Sequence, residues 1–289
     1  MSRPQTNSLR YSDKLKLIGL TIALTSKDKM MKKIFLQALS IFALALCGSA
    51  LATAQTATTP TDVKARAVTD GVKDPTPATA ITATTSPGDL ARAAVVAMGG
   101  DKFRNLKSIV LRGSVDLYGP NSTQSIPGGF VLANAGDKMR MEVDARPLFS
   151  FKQIFDGQQS YSSLPGAEMA PVGKFGMRVL AKFDQAGYTV TALPDKKKQR
   201  GFRIADAEGN ATDFYLDPAT GRVITYTFTF NGVNFGTENK KFKDVDGVLV
   251  PSNFTQRIEM PQGAAFAEFN AKDIKINQPL GDDVFAMPN

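Results

Sequence analysis

The stretch Ile224-Thr-Tyr-Thr-Phe-Thr-Phe230 constrains the fold more than any other part of the chain. Ile224, Tyr226, Phe228 and Phe230 alternate with Thr225, Thr227 and Thr229. A period of two puts the apolar residues on one face of an extended strand and the threonines on the other. Such a strand belongs to an antiparallel sheet with one face on the core and one toward water. The neighbouring segments have the same character. Asp217–Gly221 precedes it as a turn, with Pro218 suited to the first central position and Gly221 to the left-handed residue that follows. Glu208-Gly-Asn210 makes a second turn upstream. Downstream, the pattern predicts strands near 237–244, over 248–258 and over 264–276. Upstream, 107–119, 128–145 and 150–164 each carry partly alternating apolar residues that end in turn formers. The expected fold is β-rich α+β, a meander of antiparallel strands.

The bend at Asp244-Val-Asp-Gly247 tests for a metal. A calcium loop needs oxygen ligands at alternate positions, Gly at the sixth and Glu at the twelfth. Counted from Asp244, Gly247 falls fourth, and Val248, Leu249, Val250 and Pro251 offer no side-chain oxygen. The stretch therefore reads as a tight turn, and Pro251 marks an edge or a bulge in the following strand.

Two helices are expected. Ser86-Pro-Gly-Asp89 has an N-cap, a proline at the first helical position and an acid three residues after the cap. Leu90, Ala91, Ala94, Val95, Ala97 and Met98 share one face, and Gly99-Gly100 ends the helix. The second lies in an insertion over 165–187, where Phe175, Val179, Leu180 and Phe183 share one face and Lys174, Arg178 and Lys182 the other. A long insertion between strands suits a lid or binding loop.

The N-terminal part reads as targeting sequence. Met31-Lys-Lys33 is a basic n-region, 34–46 is an apolar h-region of thirteen residues, and small residues at 50–54 offer cleavage sites. The apolar run is shorter than the ~20 residues that span a membrane. Residues 31–54 are thus expected to be a signal peptide, 1–30 an upstream segment before the true start, and 55–85, rich in Thr, Ala and Pro, a disordered tether. The folded domain is expected over 86–289. Cys47 follows Leu46 and is expected to leave with the leader; lipidation there, giving an outer-membrane lipoprotein, is the lesser alternative.

Charge and composition then exclude several functions. The chain has 35 Lys/Arg, 27 Asp/Glu and a net charge of +8, but residues 1–52 hold eight of the basic and two of the acidic residues. The remainder carries 27 basic and 25 acidic residues, so the basic balance is no sign of nucleic-acid binding. The chain has no His, and its single Cys is Cys47. That removes His-activated nucleophiles and His-based zinc sites. Asp195–Arg200 reads as a solvated hairpin end rather than an anion site. Asp282-Asp283 lies in a loop-like tail, and Ser150 with Lys152 makes a weak dyad. Catalysis by carboxylate pairs, Lys, Tyr or Ser with Lys stays open, but nothing in the spacing locates two converging acids, and no metal or cofactor site is expected.

The order of motifs carries further information. The helix ending "AMGG" (97–100), then "GDKMRMEV" (136–143), "IFDGQQSY" (154–161), "FYLDPATGRV" (214–223), "FKDVDGVLVPSNF" (242–254) and "IKINQPLGDDVFAMP" (274–288) together resemble the periplasmic LolA/LolB-like superfamily, and most of all its outer-membrane lipoprotein-sorting-like proteins. The resemblance implies a half-open antiparallel barrel, a curved sheet covered by short helices, with an apolar hollow under a helical lid. It implies a periplasmic, non-catalytic carrier of lipid or of lipoprotein acyl chains, with an inner- or outer-membrane protein as a further partner. Carriers of this kind hold the lid with an Arg near the barrel mouth, and Arg140 stands at the matching place. The expected lining is Phe149, Phe151, Phe155, Phe175, Phe183, Tyr226, Phe228 and Phe230. The alternative is a structural or interaction module of the envelope with a filled core.

Overall fold

The computed structural model describes residues 80–164, 170–260 and 263–288. The expected leader and most of the tether lie outside the described residues. Within them, the strands β1 (Ser108–Tyr118), β2 (Ser125–Ala135), β3 (Lys138–Ala145), β4 (Phe149–Phe155), β5 (Ser160–Ser162), β6 (Tyr188–Lys196), β7 (Gln199–Asp206), β8 (Ala211–Leu216), β9 (Val223–Phe230), β10 (Val233–Val245), β11 (Val248–Met260) and β12 (Gly263–Ile276) form one sheet. Its order is β5-β4-β3-β2-β1-β12-β11-β10-β9-β8-β7-β6. Every pairing is antiparallel, and β5 and β6 remain as two free edges, so the curved sheet does not close. Every pairing but one joins strands adjacent in sequence; β1 to β12 is the exception and joins the two halves of the meander.

Turn chemistry fixes the registers. Val245 faces Val248 across a two-residue hairpin. Its central residues, Asp246 and Gly247, have φ of 52° and 82°. Two consecutive left-handed residues favour the Asp-Gly sequence found here, and the Gly247 N–H is capped by Asp244 Oδ1 at 2.8 Å. Pro251 lies opposite a bulge: the register shifts at Asn239/Lys241 and again at Lys241/Phe242. The β11–β12 pairing begins only at Asn253. Over 248–252 the β11 backbone therefore faces another partner, and Leu249 N–H donates to Met98 O at 3.0 Å.

Among the described residues, three α-helices cover one face of the sheet: α1 (Pro87–Ala97), α2 (Asp101–Arg104) and α3 (Met177–Ala181). Ser86 caps α1 as its sequence predicts: Asp89 N–H donates to Ser86 Oγ at 3.2 Å, and Ser86 Oγ donates to Asp89 Oδ2 at 2.7 Å. α1 packs on β6 and β7 through Leu90, Ala91, Ala94 and Val95. The residues just before it, Thr82–Thr85, form a turn that Arg200 holds through Ala83 O, and Ile81 packs against the core. The main core lies between the helices and the inner face of the sheet. A smaller cluster on the outer face joins Val110, Ala133 and Ile154 to Phe285 of the C-terminal segment.

Candidate functional site

Alternation assigns each candidate residue to a face. Phe149, Phe151 and Phe155 point inward from β4, opposite Ala145, Val143 and Met139. Tyr226, Phe228 and Phe230 point inward from β9. Phe175 and Phe183 come from the insertion on either side of α3, and both are buried. All eight aromatic candidates share the inner face. Phe155 and Phe230 are half-buried there; the other six are buried.

The structure brings three of them into direct contact and adds a fourth. Phe175 stacks on Phe228 with ring centroids 4.7 Å apart and meets Phe230 edge-on at 6.1 Å. Phe228 stacks in turn on Phe235 of β10 at 5.1 Å. Tyr226 sits 6.1 Å from Phe214, which stacks on Phe202 at 5.3 Å. Phe149, Phe151 and Phe155 stand apart, on the fourth strand while this aromatic wall spans β7 to β10. The sequence pattern predicts this strand near 237–244, whereas it runs from Val233 to Val245 and so includes Phe235. Its spacing of two from Thr237 carried the signal.

The 170–187 segment crosses the inner face and is tied to it by polar contacts. Arg178 of α3 is 2% exposed. Its guanidinium donates to Gly136 O in the β2–β3 turn and to Asp137 Oδ1 at 3.1 Å. Gly176 N–H donates to Thr212 Oγ1 of β8 at 3.1 Å. Lys174 reaches the β7–β8 turn, bonding Glu208 and lying 3.8 Å from Asp206. The Glu208 carboxylate holds the Lys174 ammonium above its ordinary pKa. At the far end, Arg104 of α2 grips Asp184 through two bonds of 2.8 and 3.0 Å and lies over the Phe183 ring at 5.1 Å. The guanidinium holds the Asp184 carboxyl below its ordinary pKa. The segment is thus a strap, apolar beneath and fastened by ions at its margins.

Comparison with known proteins adds a likeness of shape. A LolA superfamily protein from Nitrosomonas europaea is similar to this chain with 10% identity, covering 71% of this chain and 99% of its own, at a TM-score of 0.46. An outer membrane lipoprotein-sorting protein domain from Vibrio parahaemolyticus shares 14% identity over 68% of this chain and 94% of its own, at 0.44. A DUF1329 family protein from Desulfovibrio piger shares 11% over 70% and 98%, at 0.45. No family model matches the sequence, and no curated protein does.

Arg140 lies elsewhere. Met139, Met141 and Val143 take the inward positions of β3, so Arg140 and Glu142 point outward. Arg140 donates to Glu142 Oε1 at 2.6 Å and to Val284 O at 2.8 Å, on the face opposite α3. Lys152 joins the same carboxylate at 3.0 Å. Burial pushes Glu142 up, but hydrogen bonds from Lys152 and Arg140 outweigh it and leave the carboxyl below its ordinary pKa. Lys138 pairs with Asp282 at 2.6 Å. Arg140 and Lys138 thus fasten the C-terminal segment over the outer apolar cluster. The buried arginine that meets the strap is Arg178, on the strap itself.

The other charged motifs find ordinary roles. Asp195–Arg200 spans the β6–β7 turn, where Arg200 pairs with Asp195 at 3.0 Å. Lys152 is engaged by Glu142, and Ser150 is exposed on the outer face. Among the described residues, no three His, Cys, Asp or Glu converge as metal ligands.

Proposed function

We propose that this protein binds and carries an apolar ligand, a lipid or the acyl chain of a lipoprotein, between the aromatic inner face of the sheet and the 170–187 strap. The observation that supports this is the manner of the strap's attachment. Phe175, Met177, Val179, Leu180 and Phe183 fill the inner face, yet the fastenings are polar and few. Lifting the strap would break those fastenings and uncover the aromatic wall of β7 to β10. An acyl chain laid on Phe228, Phe230 and Phe235 would recover the burial lost by Phe175, at roughly 25 cal/mol per Å² before ordering costs. The basic and apolar runs of 31–46 support work outside the cytoplasm, in the periplasm, with a membrane protein as donor or acceptor.

The dense aromatic stacking also supports a second reading, a non-catalytic envelope module with a permanently filled core. The two separate on native mass spectrometry of the purified chain and on titration with a fluorescent acyl probe, presented as a fatty acid and as a diacylglycerol. The carrier reading expects co-purified lipid or saturable uptake. No bound lipid and no saturable uptake of either probe would leave the filled module standing.

A further inference from the structure

The inner face is not uniformly apolar. Asn134, Gln153, Asn239 and Gln256 are buried among the core residues. Polar atoms on all four have no hydrogen-bond partner among the described residues: Asn134 Nδ2, both Gln153 amide atoms, Asn239 Oδ1 and Gln256 Oε1. Buried polar groups are almost always paired, and each exception calls for a reason. Gln153 is the extreme case, 1% exposed with neither end of its amide satisfied. The period of β4 places it between Phe151 and Phe155 on the inward row. Met141 of β3 and Ser162 of β5 stand opposite it. Asn134 occupies the adjacent cross-strand row, opposite Met139, which in turn faces Phe155. The chain leaving β5 returns Leu164 and Ala170 to the same core.

We propose that Gln153 anchors the polar end of the ligand and selects a neutral head group that both accepts and donates hydrogen bonds, as the ester carbonyls and free hydroxyl of a diacylglycerol do. The inference rests on the carrier reading above. A glutamine amide offers N–H donors and a carbonyl acceptor. An ester carbonyl accepts from Nε2–H while a hydroxyl donates to Oε1, and Asn134 Nδ2 supplies a further donor in the next row. Charge excludes the competing classes. Arg178 is the one buried charged side chain among the described residues; with the strap down Gly136 O and Asp137 hold its guanidinium, and with the strap lifted it would leave the inner face together with the strap. An ionised carboxylate or phosphate beside Gln153 would be a buried charge without a counter-ion, which is far more costly than a neutral ester. Phe151, Phe155 and Met141 around the amide suit the first methylenes of an acyl chain.

The test uses the full chain and displacement of a neutral fluorescent probe by dioleoylglycerol or by oleate at pH 8, both delivered from phosphatidylcholine vesicles. The wild type is expected to prefer dioleoylglycerol by about tenfold or more, the worth of two net hydrogen bonds. Gln153→Met keeps the length of the side chain and removes the amide. It is expected to weaken dioleoylglycerol about tenfold and to leave oleate within about twofold. The ligand-free Gln153→Met protein is expected to melt at or above the wild-type temperature, because an unpaired amide is gone. Asn134→Leu, a second variant, is expected to lose part of the same preference. Unchanged dioleoylglycerol affinity in Gln153→Met, or a melting temperature several degrees lower, overturns the assignment. Binding of both lipids without preference overturns it and leaves the carrier reading intact. Failure of the wild type to bind either lipid removes the carrier reading and this inference with it.

Discussion

Arg178→Met is the substitution that most directly tests whether the strap opens as a unit. Methionine keeps the buried stem and removes the guanidinium. The bond to Gly136 O is charge-assisted and stabilises by about 1.5–3 kcal/mol. The pairing with Asp137 adds about 0.2–1 kcal/mol, because that carboxylate is 70% exposed. Removing a buried charge returns part of this sum. A net loss of about 2 kcal/mol is expected, equivalent to about a thirtyfold rise in the open population. Hydrogen exchange read at the amides of Met177–Phe183 would report it, provided opening is separated from global unfolding. Val115→Ala supplies the separation. Val115 is buried on β1, in a strand paired with β2 and β12, and its truncation costs about 2 kcal/mol of global stability. Arg178→Met should speed strap exchange about thirtyfold. Val115→Ala should speed exchange in the sheet and leave the strap unchanged, as expected when a segment opens below the global free energy. Equal acceleration of strap and sheet in Val115→Ala would refute the idea of an independent strap. Unchanged strap exchange in Arg178→Met would refute the role of the arginine.

Three further outcomes are expected. The Asp184 carboxyl is held below its ordinary value near 3.8 by Arg104, so its stabilising effect is complete above that value and is lost as pH falls through the lowered one. Acid titration of strap exchange should show a loss below about pH 4 that is blunted in Arg104→Leu; a variant with the wild-type acid profile would dismiss the pair. Ser86→Ala removes the cap of α1 and should cost about 1 kcal/mol in urea unfolding; an unchanged midpoint would mean that water replaces the hydroxyl. A Cβ at Gly113 would stand 1.9 Å from Asn270 O, within the bulge that joins β1 to β12. Gly113→Ala should therefore cost about 2 kcal/mol or more, and a midpoint within experimental error of wild type would show that the bulge can move.

How much of this was legible depended on whether a signal was local. The Asp246-Gly247 hairpin, the Ser86 cap and the inward face of β9 follow from residues within four of one another, and each was readable. Even there, one local irregularity was not. A register shift at Tyr215/Leu216 buries Val223 and leaves Ile224 half-buried, so the alternation starts one residue off. β6 carried no signal because it is an edge strand, exposed along most of its length. The spacing puts Arg178 on the polar face of a helix only if polarity reports exposure. α3 has only five residues, less than two turns, and all five are buried; so short an element has no polar face to offer. Arg140 shows the reverse. Met139, Met141 and Val143 already declared the inward parity of β3, and with it the outward direction of Arg140.

The exchange of one arginine for the other changes what the strap can be. An arginine on the sheet would hold a lid from outside, and its release would depend on what approaches the sheet. Arg178 instead travels with the strap, and its partners, a turn carbonyl and an exposed carboxylate, stay behind. Opening carries the guanidinium toward water, where its hydration offsets part of the loss of the bonds it leaves. At the same time it uncovers Phe228, whose only gain on exposure is a new apolar contact. The two halves of the strap therefore respond to different surroundings. The polar fastenings weaken where water is plentiful, and the apolar underside stays down until something apolar replaces it. On the carrier reading, a strap built this way would open at low cost only where both are present together, as at the surface of a membrane.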